Sequence, residues 1–222
     1  MNKNLGSWIV LGELLTNVSL EEDEPVEDHC GSCQACIKAC PTKAILEPRI
    51  LNQSKCLQYM NYHGSVMPTY ARECWGDRLY GCTACQDACP VNRKAKPRER
   101  KPEYGYVGPS LELLPILQMS EEEYRKGFGK NQMGEWWVSF AAIQRNAAVA
   151  LGNIGDPVAM PVLTRTLKNN RSATVRMHAA WALAKIGGQE ATVSLKEASK
   201  FEIKREVQQE IESALGMQTK TQ

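Results

Sequence analysis

Cys30-Gly31-Ser32-Cys33-Gln34-Ala35-Cys36-Ile37-Lys38-Ala39-Cys40-Pro41 places four thiols at the spacing C-x2-C-x2-C-x3-C-P. A loop of this spacing folds three thiolates around one [4Fe–4S] cubane, while the fourth cysteine serves a second cluster. Gly31, Ser32 and Ala35 are small, so the backbone can approach the inorganic core and aim N–H groups at sulfur. Pro41 turns the chain after the last thiol.

Working outward, Cys82-Thr83-Ala84-Cys85-Gln86-Asp87-Ala88-Cys89-Pro90 repeats the last three cysteines of that pattern, and Leu79 stands where the first would be. Pseudo-symmetry gives one cluster Cys30, Cys33, Cys36 and Cys89. The other takes Cys40, Cys82 and Cys85 and needs one more ligand, with Cys56 and Cys74 left to fill the place. Zinc is the competing metal, but its sites are grouped as one or two CxxC pairs, which the continuous run fits poorly. Two cubanes carry single electrons, and a pair of them makes a relay. All nine cysteines lie between Cys30 and Cys89. They are about 4% of the chain, below the roughly 8–10% of disulfide scaffolds.

The remaining composition is ordinary. The 222 residues are 43% apolar and 23% charged, with a formal net charge of +2. That length suits one or two domains. The balance excludes wholesale disorder and a globally basic nucleic-acid binder, so any electrostatic asymmetry must be local. No apolar run approaches the roughly 18–20 residues of a membrane span. The start, Met1 to Trp8, has neither the long apolar core nor the small-residue cleavage site of a signal peptide. A cytoplasmic monomer without membrane contact is expected.

Residues 1–29 form an N-terminal segment. In it, Trp8 to Leu15 reads as a short buried strand or a turn or two of helix, and six carboxylates between Glu21 and Asp28 read as a solvated loop. Residues 30–91 are the double-cluster domain, and 92–118 a basic, proline-interrupted linker. From 119 to 222 the pattern is helical, opening on a capping box at Ser120 and Glu123. Ala147 to Gly155 matches Ala179 to Gly187 at an offset of 32, and Leu163 matches Leu195 in the helices expected to follow. Asp156-Pro157 supplies a cap and a first-turn proline. A helix pair recurring at this length is a HEAT-like unit, and helices near 120–126 and 203–215 are expected to cap the stack. The expected fold class is therefore mainly α: a ferredoxin-like double [4Fe–4S] domain followed by an α-solenoid of HEAT-like repeats.

Several stretches together resemble the epoxyqueuosine reductase family across nearly the whole chain. They are Gly6-Ser7-Trp8 with Leu11-Gly12-Glu13-Leu14-Leu15-Thr16, the Cys30–Pro41 run, Cys56-Leu57-Gln58-Tyr59, and Gly76-Asp77-Arg78-Leu79-Tyr80-Gly81 through Asn92. Arg145-Asn146-Ala147-Ala148 and His178-Ala179-Ala180-Trp181-Ala182-Leu183 extend the match into the repeats. The family uses cobalamin and iron–sulfur clusters to reduce epoxyqueuosine to queuosine in tRNA. The resemblance implies that Cys56 is the eighth cluster ligand, leaving Cys74 a spare thiol. It implies that Gln58, Cys82, Thr83, Ala84 and Cys85 face cobalamin, although the family often has serine where Gln58 stands. Family members also carry an N-terminal domain holding most of the corrinoid pocket and an aspartate that donates a proton. No residue here matches that aspartate, so no catalytic residue is assigned. The sequence reads as the C-terminal part of such an enzyme, incomplete alone, with residues 1–29 a remnant of the link.

The resemblance also implies a tRNA anticodon stem-loop as partner, a flavodoxin or ferredoxin as electron donor, and room for a separate corrinoid-binding subunit. The expected RNA contacts are Arg93, Lys94, Lys96 and Arg98 in the basic arm, with Arg145, Asn146 and His178 on the repeats. Lys168 to Arg171 adds further donors, and Tyr104, Tyr106, Trp136 and Trp137 are the aromatic candidates, most of them expected in the core. The rival reading is a stand-alone two-cluster electron carrier with a HEAT-like protein-docking module, which would bind no RNA.

Overall fold

The computed structural model describes residues 2, 4–27, 30–95 and 105–218. In chain order the helices are α1 (Ala35–Ala39), α2 (Leu57–Met60), α3 (Thr69–Trp75), α4 (Ala84–Asp87), α5 (Leu113–Gln118) and α6 (Glu121–Phe128). Then follow α7 (Phe140–Ile154), α8 (Met160–Asn169), α9 (Ala173–Ile186), α10 (Gly188–Ser199) and α11 (Arg205–Gln218). A small antiparallel hairpin joins β1 (Ile45–Glu47) to β2 (Ile50–Leu51), with Ile45 opposite Leu51. The mainly α class with two cluster motifs and HEAT-like repeats is the one the sequence implies. Packing divides the chain into two compact units, Met1–Gln53 with Thr83–Glu99, and Ser54–Cys82 with Arg100–Gln222. The motif limits at 30–91 and 119–222 therefore do not coincide with the packing limits. Residues 54–82 fold with the repeats.

The first unit has almost no apolar core. Ala44 is the one buried hydrophobic residue among its described residues. Its shape comes from short turns fixed by proline. Cys40 precedes Pro41 and Cys89 precedes Pro90, and both are extended, at ψ 114 and ψ 120. A proline disfavours helix in the residue before it, so α1 must stop at the fourth thiol of its motif. The segment Trp8–Leu15 is neither strand nor helix, and Val10 and Leu15 are 99% and 97% exposed. An apolar run needs a surface to cover it. In this unit the only described bridge near it is Asn2 to Gly6, so the expected burial is not met there. Glu21 to Glu27 is exposed and without regular structure, as a solvated acidic loop should be, while Asp28 lies outside the described residues.

The second unit is dense. In α7 and α9 the alanines of the repeated segment are buried, so the two helices approach closely. A Cβ on Gly152 would lie 2.8 Å from the Ala182 Cα, and only hydrogen fits there. Leu163 on α8 and Leu195 on α10 are both fully buried, which confirms that the offset of 32 relates two α-helical pairs. Each such leucine contributes about 1.5–3 kcal/mol relative to exposure. The stack ends on α11, packed on α9 and α10, as expected. At the other end α6 reaches α7 through Tyr124 against Phe140, and α5 packs on α7 and α8. That helix falls inside the expected linker because its proline, Pro115, sits in the first turn, where no N–H is needed, and Ile116 and Leu117 behind it are buried. The capping box at Ser120 is present, with Glu123 N–H donating to Ser120 Oγ and Ser120 N–H to the Glu123 carboxylate.

Candidate cluster ligands and the surfaces around them

In the first unit, Cys30, Cys33, Cys36 and Cys89 line one cavity, together with Ala35, Pro90 and Val91. This is the ligand set that pseudo-symmetry selects: three thiols from the first motif and the last thiol of the second. Four thiols around a common space, with small and apolar neighbours, fit a cubane. Cys40 points elsewhere in the unit. Its sulfur accepts the Ala44 N–H at 3.1 Å and lies 3.7 Å from Thr42 Oγ1. Burial raises its pKa, but the Ala44 and Ile45 N–H groups and Thr42 outweigh that and hold the thiol below its usual value. This environment favours the thiolate, the form that binds iron.

The second motif is fixed in place by a clasp the sequence does not advertise. Ser7 N–H donates to Asn92 Oδ1 at 2.7 Å. Asn92 Nδ2 donates to Ser7 Oγ at 2.8 Å and to the Gln86 carbonyl at 2.6 Å, and Gln86 Nε2 donates to the Ser7 carbonyl at 3.0 Å. Gly6 at φ +62 allows the approach, since a Cβ there would sit 1.8 Å from Asn92 Oδ1. Thr83, at the head of α4, donates to Asp87 Oδ2 at 2.8 Å.

In the second unit the backbone leading to Cys82 is fastened to the repeats. Arg145 and Asn146 are completely buried in α7. The Arg145 guanidinium donates to the carbonyls of Met60, Asn61, His63 and Ser65, at 2.7, 3.3, 2.7 and 2.6 Å. Asn146 Nδ2 donates to the Asn61 and Leu79 carbonyls at 2.9 and 3.0 Å. Asn61 Oδ1 then accepts the Gly81 N–H, and Gln58 Oε1 the Cys82 N–H, both at 3.0 Å. The position matching Asn146 in the next repeat, His178, is equally buried, and its Nε2 accepts the Met67 N–H at 3.1 Å. Arg72 donates to the Met67 carbonyl and makes a forked pair with Glu210 on α11, at 2.6 and 3.0 Å. Asn153 holds the carbonyls of Arg72 and Gly76.

These partners revise the expected RNA face. Arg145, Asn146 and His178 present no group to a ligand, because each is enclosed and engaged within the chain. The offset of 32 that marked them is the period with which the repeats grip residues 54–82. Of the basic arm, Arg93 is exposed. The Lys94 side chain, Lys96, Arg98 and Tyr104 lie outside what is described. The aromatic candidates are more exposed than expected: Trp136 is 84% exposed, Trp137 47% and Tyr106 45%. The loop bearing the two tryptophans is held by Arg125, which donates to the carbonyls of Gly134, Glu135 and Val138. Arg145, Asn146, Asn153 and Arg72 were legible only as polar residues in helices; nothing local tells that they have partners 67 to 138 positions away.

Known proteins share these features. Residues 29–92 match a 4Fe-4S double cluster binding domain, and residues 139–216 match HEAT repeats. Epoxyqueuosine reductase of Listeria monocytogenes is 38% identical over 209 residues, covering 93% of this chain and 54% of that protein. An uncharacterized Geobacillus stearothermophilus protein in the gldA 3′ region is 35% identical over 96% of this chain and 98% of its own length. A crystal structure of epoxyqueuosine reductase with a tRNA-Tyr epoxyqueuosine-modified stem-loop superposes with a TM-score of 0.81 at 35% identity, covering 90% of this chain and 53% of that one. Over nearly its whole length the chain is thus similar to the epoxyqueuosine reductases, and it spans about half the length of those it matches.

Proposed function

We propose that this chain forms the electron-relay and RNA-holding part of an epoxyqueuosine reductase, which converts epoxyqueuosine in tRNA to queuosine. The carrying observation is the cavity lined by Cys30, Cys33, Cys36 and Cys89, where thiols from two separate motifs surround one space. Cys40, Cys56, Cys82 and Cys85 are the proposed ligands of the second cluster. Bound on these thiolates, [4Fe–4S] clusters supply one-electron transfer, and cobalamin supplies the reductive chemistry at the epoxide.

The chain's own residues shape the sites. Gln58 and Thr83 direct their side chains at the Cys82 loop and at Asp87. Their proposed part toward cobalamin, with Cys82, Ala84 and Cys85, is to fix the loop's form rather than to grip the ring. The Ser7–Gln86–Asn92 clasp holds the second motif, and Asn146 with Asn61 holds the strand of chain entering it. The anticodon stem-loop is the proposed RNA, flavodoxin or ferredoxin the donor, and Trp136 a stacking surface for an unpaired base.

Anaerobic reconstitution tests the metal reading. About eight irons and eight sulfides per chain are expected for two cubanes, and Cys89→Ser should cost one cluster. Stoichiometric zinc with little iron would overturn the assignment. For RNA, neutralising roughly five phosphates gives a slope near −4 in log K against log salt.

A further inference from the structure

In the second unit a cleft of about 560 Å³ is walled by the end of α5, by α7 and α8, and by the turn before α9. Its polar lining is rich in donors. Arg165 and Asn169 stand one turn apart on α8, and Arg171 follows in the turn. Neither arginine meets a carboxylate among the described residues. The contrast with their neighbours is sharp: Lys168 pairs with Glu197 at 2.7 Å and Arg176 with Glu202 at 2.7 Å. Within one stretch of twelve residues, the cations outside the cleft are neutralised and those lining it are not. The one acidic residue at the rim, Glu121, is bound by Arg125 at 3.2 Å.

Three further observations point to the same charge. Thr166 lines the cleft, where its hydroxyl can donate, and is only 6% exposed. Helix α9 follows its N-cap Ser172 on the cleft wall, where the Ser172 hydroxyl accepts the Val175 N–H and no acidic residue stands in the first turn, so no carboxylate offsets the positive end of its dipole. The turn carrying Arg171 is rigid. Asn170 Nδ2 donates to Gln144 Oε1 at 3.0 Å, and Asn170 Oδ1 accepts the Ser172 N–H at 2.9 Å. Arg176 Nη1 donates to the carbonyls of Asn170 and Arg171 at 2.8 and 3.3 Å. A loop fixed before binding lets two guanidinium forks meet an anion without an ordering cost.

We infer that this cleft seats backbone phosphates of the RNA, with Arg165 and Arg171 as their ion-pair partners and Thr166 as a hydroxyl donor. The identity of the anion as RNA rests on the function proposed above. Arg165, Arg171 and the first turn of α9 favour negative charge in the cleft, and guanidinium geometry matches phosphodiester oxygens.

The test is fluorescence anisotropy of a labelled anticodon stem-loop with the reconstituted full chain across a salt series. Arg165→Gln and Arg171→Gln should each lower the magnitude of the salt slope by about 1, and weaken binding alike for stem-loops of different loop sequence. Lys196→Gln with Lys200→Gln removes two exposed charges on and just after α10, outside the cleft, and should leave the slope near that of the parent. Helical circular dichroism checks that each variant is folded. Unchanged slopes in the double arginine variant, or an equal fall in the lysine control, would overturn the cleft as the phosphate seat while leaving RNA binding intact. A parent chain with no affinity for the stem-loop would instead overturn the functional reading itself.

Discussion

The two units hold their shape by different means. The unit containing Cys30 buries Ala44 and little other apolar surface among its described residues, while the unit containing the repeats buries Trp75, Trp181, Tyr124 and a continuous set of alanines and leucines. A segment with so small a core cannot offset the ~1–2 kcal/mol per residue of backbone ordering from burial alone. Something must bridge its turns, and the cluster proposed for the four thiols around one cavity would do so, its binding energy being folding energy. The repeats need no such staple. Their hydrophobic term is ample, and their buried polar groups act on something else, the path of residues 54–82.

The strongest way to break this comparison is to remove the metal. Replacing Cys30, Cys33 and Cys36 with serine should leave the first unit unfolded and the second folded. Limited proteolysis should then cut freely within residues 1–53, while the helical circular dichroism of α7 to α11 persists with a cooperative melt. Simultaneous loss of both units would show that the second unit's core is not self-sufficient.

Next in size is Arg145. Arg145→Ala leaves four carbonyls without their buried donor, each costing on the order of 1–3 kcal/mol if unsatisfied. A loss of about 3 kcal/mol or more is expected in urea unfolding of the repeat transition. Burial lowers the Arg145 pKa to about 10, so the guanidinium remains charged at neutral pH and its partners must remain in place. Arg145→Lys keeps the charge but not the fork, and should fall between the two. If Arg145→Ala were neutral for stability yet abolished RNA binding, the anchoring role would be wrong.

His178 gives a smaller, pH-dependent effect. Burial, with Arg72 and Arg145 nearby, lowers its pKa from 6.5 to about 3. Its Nδ1 faces the Thr174 carbonyl at 2.7 Å while Nε2 accepts from Met67, so the neutral ring is the form that fits. Below pH 6.5 the unfolded chain takes up a proton that the folded chain refuses, and stability falls as the pH drops toward 3. The contribution is about 1.4 kcal/mol per pH unit in that window. His178→Gln removes it, so the parent and variant stability curves should converge as the pH falls. Parallel curves between pH 6.5 and pH 5 would show that the imidazole is free to protonate in place.

What could be read from sequence follows the same division. The cysteine spacing, the offset of 32, the Ser120 cap and the Asp156-Pro157 turn are local chemistry, and the structure bears each repeat and cap signal out. The Trp8–Leu15 run misled because apolar composition states only that a surface wants covering. Arg145, Asn146 and His178 misled for the opposite reason. A basic or polar residue at a repeated helix position usually faces solvent, and only the long-range partners Met60, Asn61, Leu79 and Met67 make these three interior. The α5 helix hid behind Pro115, which reads as a breaker unless its place in the first turn is known.

The smallest effect sharpens that lesson. Ser120 caps α6 with its hydroxyl and receives Glu123 in return, yet Ser120 and Glu123 are both exposed. Ser120→Ala should cost about 1 kcal/mol, the worth of one N-cap. It should leave untouched the cluster content and the protection of residues 54–82 in hydrogen exchange. Arg145→Ala should do the reverse, loosening residues 54–82 first, because that segment and not its own helix loses the donors. Comparing exchange in the two variants separates a stability that is written locally from one that exists only after the chain has folded back on itself. If Ser120→Ala exposed residues 54–82 as strongly as Arg145→Ala does, the second unit would unfold as one cooperative block, and the distinction between cap and anchor would have no energetic content.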